Sequence, residues 1–169
     1  MKVGAIAYRK TPAGVEICLV SSRRHKGKLT LPKGEVKPGE TLVTAVKREL
    51  FEEAGLRGKV RQSKRPLCFA AKSRQRDPVF YFLVKITDVK MKWPEKSERK
   101  RIFTDLAGMS GLPLGDAPKS LLRQMRQLPL LCDENTADQP VADEEAANNP
   151  VPFRASAFRC AFPRWRRGA

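Results

Sequence analysis

Apolar positions along this chain follow two periods. Residues 3–8 and 15–21 alternate or run apolar, and Thr11-Pro12-Ala13-Gly14 between them reads as a turn, so the chain predicts a β-hairpin at its start. Residues 79–89 alternate through Phe80, Phe82, Val84 and Ile86 and predict a long strand. Two shorter runs, 59–62 and 66–71, are expected to pair with each other. The helical period appears twice. Leu42, Val43, Ala45, Val46, Leu50 and Ala54 form an apolar stripe in a stretch free of Pro and Gly. Leu121, Leu122, Met125 and Leu128 form another in a helix expected over 116–128, with Pro118 near its start. For the first helix, Thr41 after the turn Pro38-Gly39 supplies an N-cap, and Gly55 supplies a left-handed stop.

The polar side of that first helix carries the chemistry. Glu49, Glu52 and Glu53 stand at i, i+3 and i+4 and project from one patch. Three like charges this close repel unless something positive lies between them. Arg48 starts on a different flank, so a hard cation is the expected neutraliser; magnesium takes oxygen ligands and keeps positions open for water and phosphate. A bare E-x-x-E-E is usually a solvated acidic face, and the wider spacing decides otherwise. Gly34, Glu40, Arg48, Glu49, Leu50, Glu52, Glu53, Gly55 and Leu56 resemble the Nudix box, G-x5-E-x7-R-E-U-x-E-E-x-G-U with U aliphatic, at every fixed position. Seven specified residues at roughly 7% usage each would coincide in about one chain in a million of this size.

The resemblance implies an α/β protein, an α/β/α sandwich with a mixed β-sheet in which the box forms a loop–helix–loop. It implies hydrolysis of a diphosphate linked to a further moiety, with magnesium or manganese as cofactor. Carried over by position, Glu49, Glu52 and Glu53 are the expected metal ligands, joined by a backbone carbonyl at Lys33 or Gly34. Glu52 or a neighbour is expected to orient and deprotonate the attacking water. Arg48 is expected to hold a glutamate by a charge-assisted hydrogen bond, and Glu40 to brace the loop or help bind metal. Glu35 lies outside the fixed positions and reads as loop. Attack on a pyrophosphate needs its oxygens neutralised and a water made nucleophilic, both of which bound metal supplies. Close carboxylates also raise one another's pKa, which favours one of them as base.

At 169 residues the chain suits one domain with a modest core, expected over 1–130. Residues 131–169 shift to Asn, Asp, Glu, Ala and Pro without periodicity and are expected to form a disordered or loosely packed tail. Cys18, Cys68, Cys132 and Cys160 make no C-x-x-C pair and His25 stands alone, which argues against zinc; Cys18 and Cys68 read as core residues. With no leader-like segment and no apolar run near 18 residues, a soluble cytoplasmic protein without membrane contact is expected. The formal net charge is +16. Six acidic and five basic residues follow Leu130, leaving 12 acidic and 29 basic before it. Such a field favours polyanions, here a small phosphate-rich substrate or RNA.

Two further segments narrow the substrate. Val20-Ser21-Ser22-Arg23-Arg24-His25 before Leu31-Pro32-Lys33-Gly34, and Trp93 before Arg99-Lys100-Arg101 and Phe103, resemble the diphosphoinositol polyphosphate phosphohydrolases and their relatives that split diadenosine polyphosphates. That resemblance implies phosphate binding by Lys2, Ser22, Arg23, Arg24, Arg74, Arg76 and Arg99, and an arginine fork suits phosphate oxygens. Each of the lysines and arginines is equally a plain surface base, and Trp93 reads as a packed edge aromatic. Pro32-Lys33-Gly34-Glu35 departs from the glycine run usual in that subfamily and is common in enzymes acting on dinucleoside tetraphosphates. Both substrate classes therefore stay open, beside an RNA 5′-end pyrophosphohydrolase and a non-catalytic Nudix sensor. The complete carboxylate set argues against the sensor.

Overall fold

Strand β1 (Lys2–Thr11) is the spine of the fold because it is apolar on both faces. In the computed structural model, residues 1–61, 67–69 and 78–126 are described, with backbone alone at 67–69. Arg74, Arg76, the Cys68 side chain and the expected tail at 131–169 lie outside the described residues. The predicted hairpin joins β1 antiparallel to β2 (Gly14–Ser21). Strand β3 (Leu29–Thr30) pairs with β2, and β4 (Lys33–Glu35) pairs antiparallel with β1. After helix α1 (Leu42–Ala54) come β5 (Leu56–Val60), β6 (Leu67–Phe69) and β7 (Val79–Val89). β7 runs parallel to β1, while β8 (Arg101–Thr104) returns antiparallel to β2. One parallel pair among antiparallel ones makes the sheet mixed, in the order β3-β2-β1-β7-β5.

Among the described residues of the two runs, the pairing expected between 59–62 and 66–71 is not formed. β5 and β6 instead lie end to end along β7, opposite its residues 84–89 and 79–81 respectively. At 11 residues, β7 is long enough to give each of them a partner.

Alternation along the strands sends side chains to two layers. Val3, Ala5 and Ala7 meet Ala45, Val46, Leu50 and Ala54 of α1, together with Cys18, Val20 and Val84. Ile6 and Tyr8 face the other way with Ile17, Leu19, Tyr81 and Leu83. That second face is covered by Met109, from a 3-10 turn at Gly108–Gly111, and by Leu121 and Met125 of α2 (Asp116–Met125). The result is an α/β/α sandwich. Each large side chain so buried contributes about 1.5–3 kcal/mol. Burial pushes the Cys18 thiol up to about 12, so it is an inert core group.

Helix α1 begins and ends where its residues dictate. Thr41 Oγ1 accepts from the Thr44 N–H at 3.1 Å. Gly55 adopts φ 63° and its N–H donates to the Phe51 carbonyl at 2.9 Å. A Cβ at Gly55 would also stand 2.8 Å from the Trp93 ring, so glycine permits both the left-handed stop and the packing of that indole. The end of α1 is thereby fixed beside its glutamates.

Candidate active site

Helix α1 and the loop ahead of it converge on Arg48. Its Nε and Nη2 grip the two Glu40 oxygens at 2.8 and 2.9 Å. Nη1 donates to Glu49 at 2.6 Å and to Glu52 at 3.0 Å, and Nη2 also reaches the Glu35 carbonyl at 2.9 Å. Although Arg48 starts on another flank, its side chain is long enough to stand between these carboxylates. Glu40 is folded back by the Lys37 N–H, which donates to it at 3.1 Å.

The hydrogen bond from Arg48 is the main cause that lowers the Glu40 pKa to about 2, and the carboxylates in turn hold Arg48 above its ordinary value. A depressed carboxylate pKa contributes stability above the unfolded value, 4.5, and loses it as pH falls through about 2. Glu40→Gln is therefore expected to melt below the wild-type protein at neutral pH, with the two curves converging in acid. Melting followed by circular dichroism across that range checks this; a gap independent of pH would remove the ion pair as its cause.

Glu53 takes another direction. It is buried, its Oε2 accepts the Lys33 N–H at 3.1 Å, and its Oε1 pairs with Arg99. Arg99 is itself only 8% exposed and also donates to Glu95 and, at 2.9 Å, to the Ser21 carbonyl. The single acidic patch expected from the i, i+3, i+4 spacing is thus split, because Arg99 and β4 draw Glu53 away from Arg48. Burial is the largest influence on Glu53 and raises its pKa to about 7 against the pull of Arg99 and Lys33. Desolvation, rather than the box carboxylates beside it, does the raising.

Gly34 lies against Glu49. A Cβ there would fall inside the Glu49 carboxylate, so glycine lets that carboxylate close on β4, the strand carrying both candidate carbonyls. Gly34→Ala should displace Glu49 and cost on the order of 10²-fold in kcat, the scale of a 1 Å misplacement. Steady-state rates beside a melting curve test this, and unchanged kcat would free Glu49 from a positional role.

An open cavity of about 490 Å³, lined in part by Gly34, lies between residues 22–28, β4 and the start of α2. Lys2, Ser22, Arg23, Arg24 and Arg99 all line it, with Lys33 and Glu53. Several of these are already engaged. Lys2 pairs with Glu35 at 3.5 Å, and Arg23 with Glu95 at 2.9 Å and Glu98 at 3.1 Å. Ser22 Oγ accepts the His25 N–H at 3.1 Å. Among the described residues, the Arg24 and Lys28 side chains line the cavity with no hydrogen bond or ion pair. Burial lowers the Lys33 pKa, with Glu53 opposing. Lys28, Lys33 as a side chain, and Asp116 and Ala117 at the start of α2 were not singled out by the sequence patterns. Lys28 belongs to the same basic run as Arg24, which is a usable signal. The approach of α2 is purely tertiary, stitched by Gly115 N–H to the Leu29 carbonyl at 2.7 Å.

Arg48 Nη1 tests the fit of a divalent cation. It is a cationic nitrogen held between Glu49 and Glu52 oxygens, so this pair accommodates positive charge and offers the oxygen donors that hard cations take. Among the described residues no three His, Cys, Asp or Glu groups are arranged to hold a metal ion, and Glu53 is held by Arg99. Glu49 and Glu52 are the pair that fits, while Glu53, held by Arg99 and the Lys33 N–H, lines the cavity.

A mixed sheet lies between helical layers, and a glutamate-rich helix lies beside a cavity lined by basic residues. The chain belongs to the Nudix family: the family model described as NUDIX domain matches residues 1–121. It is 31% identical over 115 residues to Nudix hydrolase 17, mitochondrial, of Arabidopsis thaliana, covering 62% of this chain and 61% of that protein. The chain thus spans less than two thirds of that relative's length. It is similar to a crystal structure of a C. elegans Ap4A hydrolase binary complex, at 25% identity and TM-score 0.57, over 75% of this chain and 96% of that one. A Nudix hydrolase from M. smegmatis, RenU, shares the fold at 16% identity and TM-score 0.59, over 82% of this chain and 89% of that one. No helix among the described residues is long and apolar enough to cross a membrane.

Proposed function

We propose that this protein is a divalent-cation-dependent pyrophosphohydrolase that cleaves a diphosphate linkage in a small, highly phosphorylated molecule. The observation that carries the reading is one of adjacency. Glu49 and Glu52 meet at Arg48, Glu49 lies against Gly34, and Gly34 and Glu53 line the basic cavity. Magnesium or manganese, held by Glu49 and Glu52 with a carbonyl of Lys33 or Gly34, would supply charge neutralisation and an activated water beside the cavity that Gly34 and Glu53 line. Glu52, at 35% the most exposed carboxylate around Arg48, orients that water and accepts its proton. Arg48 and Glu40 hold the cluster in register. Arg24 and Lys28 take the substrate phosphates, since neither side chain is held by a carboxylate, and Lys33 stands beside them with Glu53 opposite.

Within this class the reading favours a diadenosine polyphosphate. The C. elegans protein at 25% identity is an Ap4A hydrolase, and Pro32-Lys33-Gly34-Glu35 is the form common in dinucleoside tetraphosphate enzymes. A hydrolysis panel tests it: diadenosine tetra- and hexaphosphate, a diphosphoinositol polyphosphate, ADP-ribose and 5′-triphosphate RNA, with magnesium, manganese or EDTA. Diadenosine turnover that EDTA abolishes is expected. Turnover of the inositol compound or the RNA alone moves the substrate assignment there, and tight binding without turnover makes the protein a sensor. Arg24→Ala is expected to raise KM for the tetraphosphate about 10-fold, the worth of one hydrogen bond to a charged group, with kcat nearly unchanged. A fall in kcat at constant KM would put Arg24 elsewhere in the reaction.

A further inference from the structure

Beside the box, the structure contains an ion-pair chain of alternating sign that connects the cavity loop to α1. It runs Glu53, Arg99, Glu95, Arg23, Glu98, from the buried carboxylate to an exposed one. Its middle member is Glu95. One Glu95 oxygen accepts from Arg99 Nε and the other from Arg23 Nη1 at 2.9 Å. The Glu95 N–H donates to the Glu52 carbonyl at 3.1 Å, so the same residue is also tied to α1 by its backbone.

The segment carrying Glu95 is a stable mount. Glu98 and Arg99 N–H groups both donate to the Glu95 carbonyl, at 3.0 and 2.9 Å, and Lys96 N–H donates to the Trp93 carbonyl at 3.2 Å. Trp93 is packed on Gly55 and lies 4.6 Å under the Arg101 guanidinium, whose Nη1 donates to the Ala54 carbonyl at 2.6 Å. The turn is thereby locked to the C-terminal end of α1, one residue from Glu53.

We infer that Glu95 is a positioning residue that sets Arg99 against Glu53 and, with Glu98, keeps the Arg23 guanidinium at the cavity from pairing with a phosphate there. The inference rests on the pyrophosphohydrolase reading for its kinetic part. Its structural part needs only the ion pairs. A guanidinium shared by two carboxylates has its plane fixed by both, so loss of one lets Arg99 turn away from Glu53. Loss of the same carboxylate leaves Arg23 on the exposed Glu98 alone and releases its Nη1, at the cavity, to meet phosphate. The two consequences have opposite signs: catalysis weakens while polyanion binding strengthens. A merely structural role would weaken both.

The experiment compares Glu95→Gln with Glu98→Gln, the latter touching Arg23 but neither Arg99 nor α1. Inorganic triphosphate binding is measured by calorimetry without metal, and hydrolysis of diadenosine tetraphosphate with magnesium. Glu95→Gln is expected to bind triphosphate at least threefold more tightly while kcat falls at least tenfold. Glu98→Gln is expected to leave kcat within twofold. Triphosphate binding that weakens or stays level in Glu95→Gln overturns the proposal, as does an equal kcat loss in both variants. Should the wild-type protein hydrolyse nothing, a double-mutant cycle of Arg23→Ala and Glu53→Gln on melting temperature replaces the kinetics. Coupling between these two that vanishes in the Glu95→Gln protein supports the relay; additive effects, or coupling that persists without Glu95, refute it. Glu95→Asp, which keeps the charge, is expected to recover part of each effect, and no recovery counts against the carboxylate.

Discussion

Glu52→Gln is expected to lower kcat by about 10²–10⁴-fold, the usual contribution of a positioned general base, with the melting temperature nearly unchanged. The environment of Glu52 is what separates the two effects. Its side chain is 35% exposed, and its contact with the protein around Arg48 is one hydrogen bond at 3.0 Å. A glutamine oxygen can still accept that bond, and Arg48 keeps its bidentate grip on Glu40 and its bond to Glu49. An i, i+4 ion pair on a helix is worth about 0.3–0.5 kcal/mol at the surface, and even the part-buried Arg48–Glu52 pair is too weak alone to unfold a domain. What glutamine cannot do is accept a proton from water. Rates measured beside a thermal melt decide the matter: near-normal kcat in a normally folded Glu52→Gln protein would strip the residue of its catalytic assignment.

Local signals explain why so much of α1 was legible. Thr41, the Pro-free and Gly-free stripe and Gly55 are all near in sequence, and the observed helix, Leu42–Ala54, matches them at both ends. The same holds for the hairpin around residues 11–14 and for the long strand β7. Partner choice in the sheet is not local. β5 and β6 each carry a strand pattern, but only β7 decides that both lie along one edge. Side-chain commitments were hidden for a related reason. Helical spacing puts Glu53 beside Glu49, yet an arginine 46 residues later claims it. Arg23 reads as a phosphate ligand until Glu95, 72 residues away, is seen to hold it. The Glu95–Arg99 spacing of i, i+4 was a visible clue to that network, though nothing local says that it reaches α1.

That arginine, Arg99, carries the largest expected effect on stability. Arg99→Met should lower the melting temperature by about 10 °C or more at alkaline pH, because breaking a buried pair by removing one partner costs about 3–5 kcal/mol. Glu53, Glu95 and the Ser21 carbonyl would all lose a donor. A lysine would not restore it, since three separate guanidinium nitrogens serve the three acceptors. The pH dependence identifies the group responsible. With the Glu53 pKa raised to about 7, folding favours its protonated form, so its contribution is greatest in mild acid and declines as pH rises through that value. Arg99 opposes the rise, and without it the Glu53 pKa climbs further and the decline continues to higher pH. The deficit of Arg99→Met relative to the wild-type protein should therefore widen between about pH 6 and pH 9. Adding Glu53→Gln removes the titrating group, so the double variant should show a deficit that no longer grows with pH. A deficit that is flat with pH in Arg99→Met itself would mean that Arg99 is needed for packing and its other hydrogen bonds, and that Glu53 does not depend on its charge.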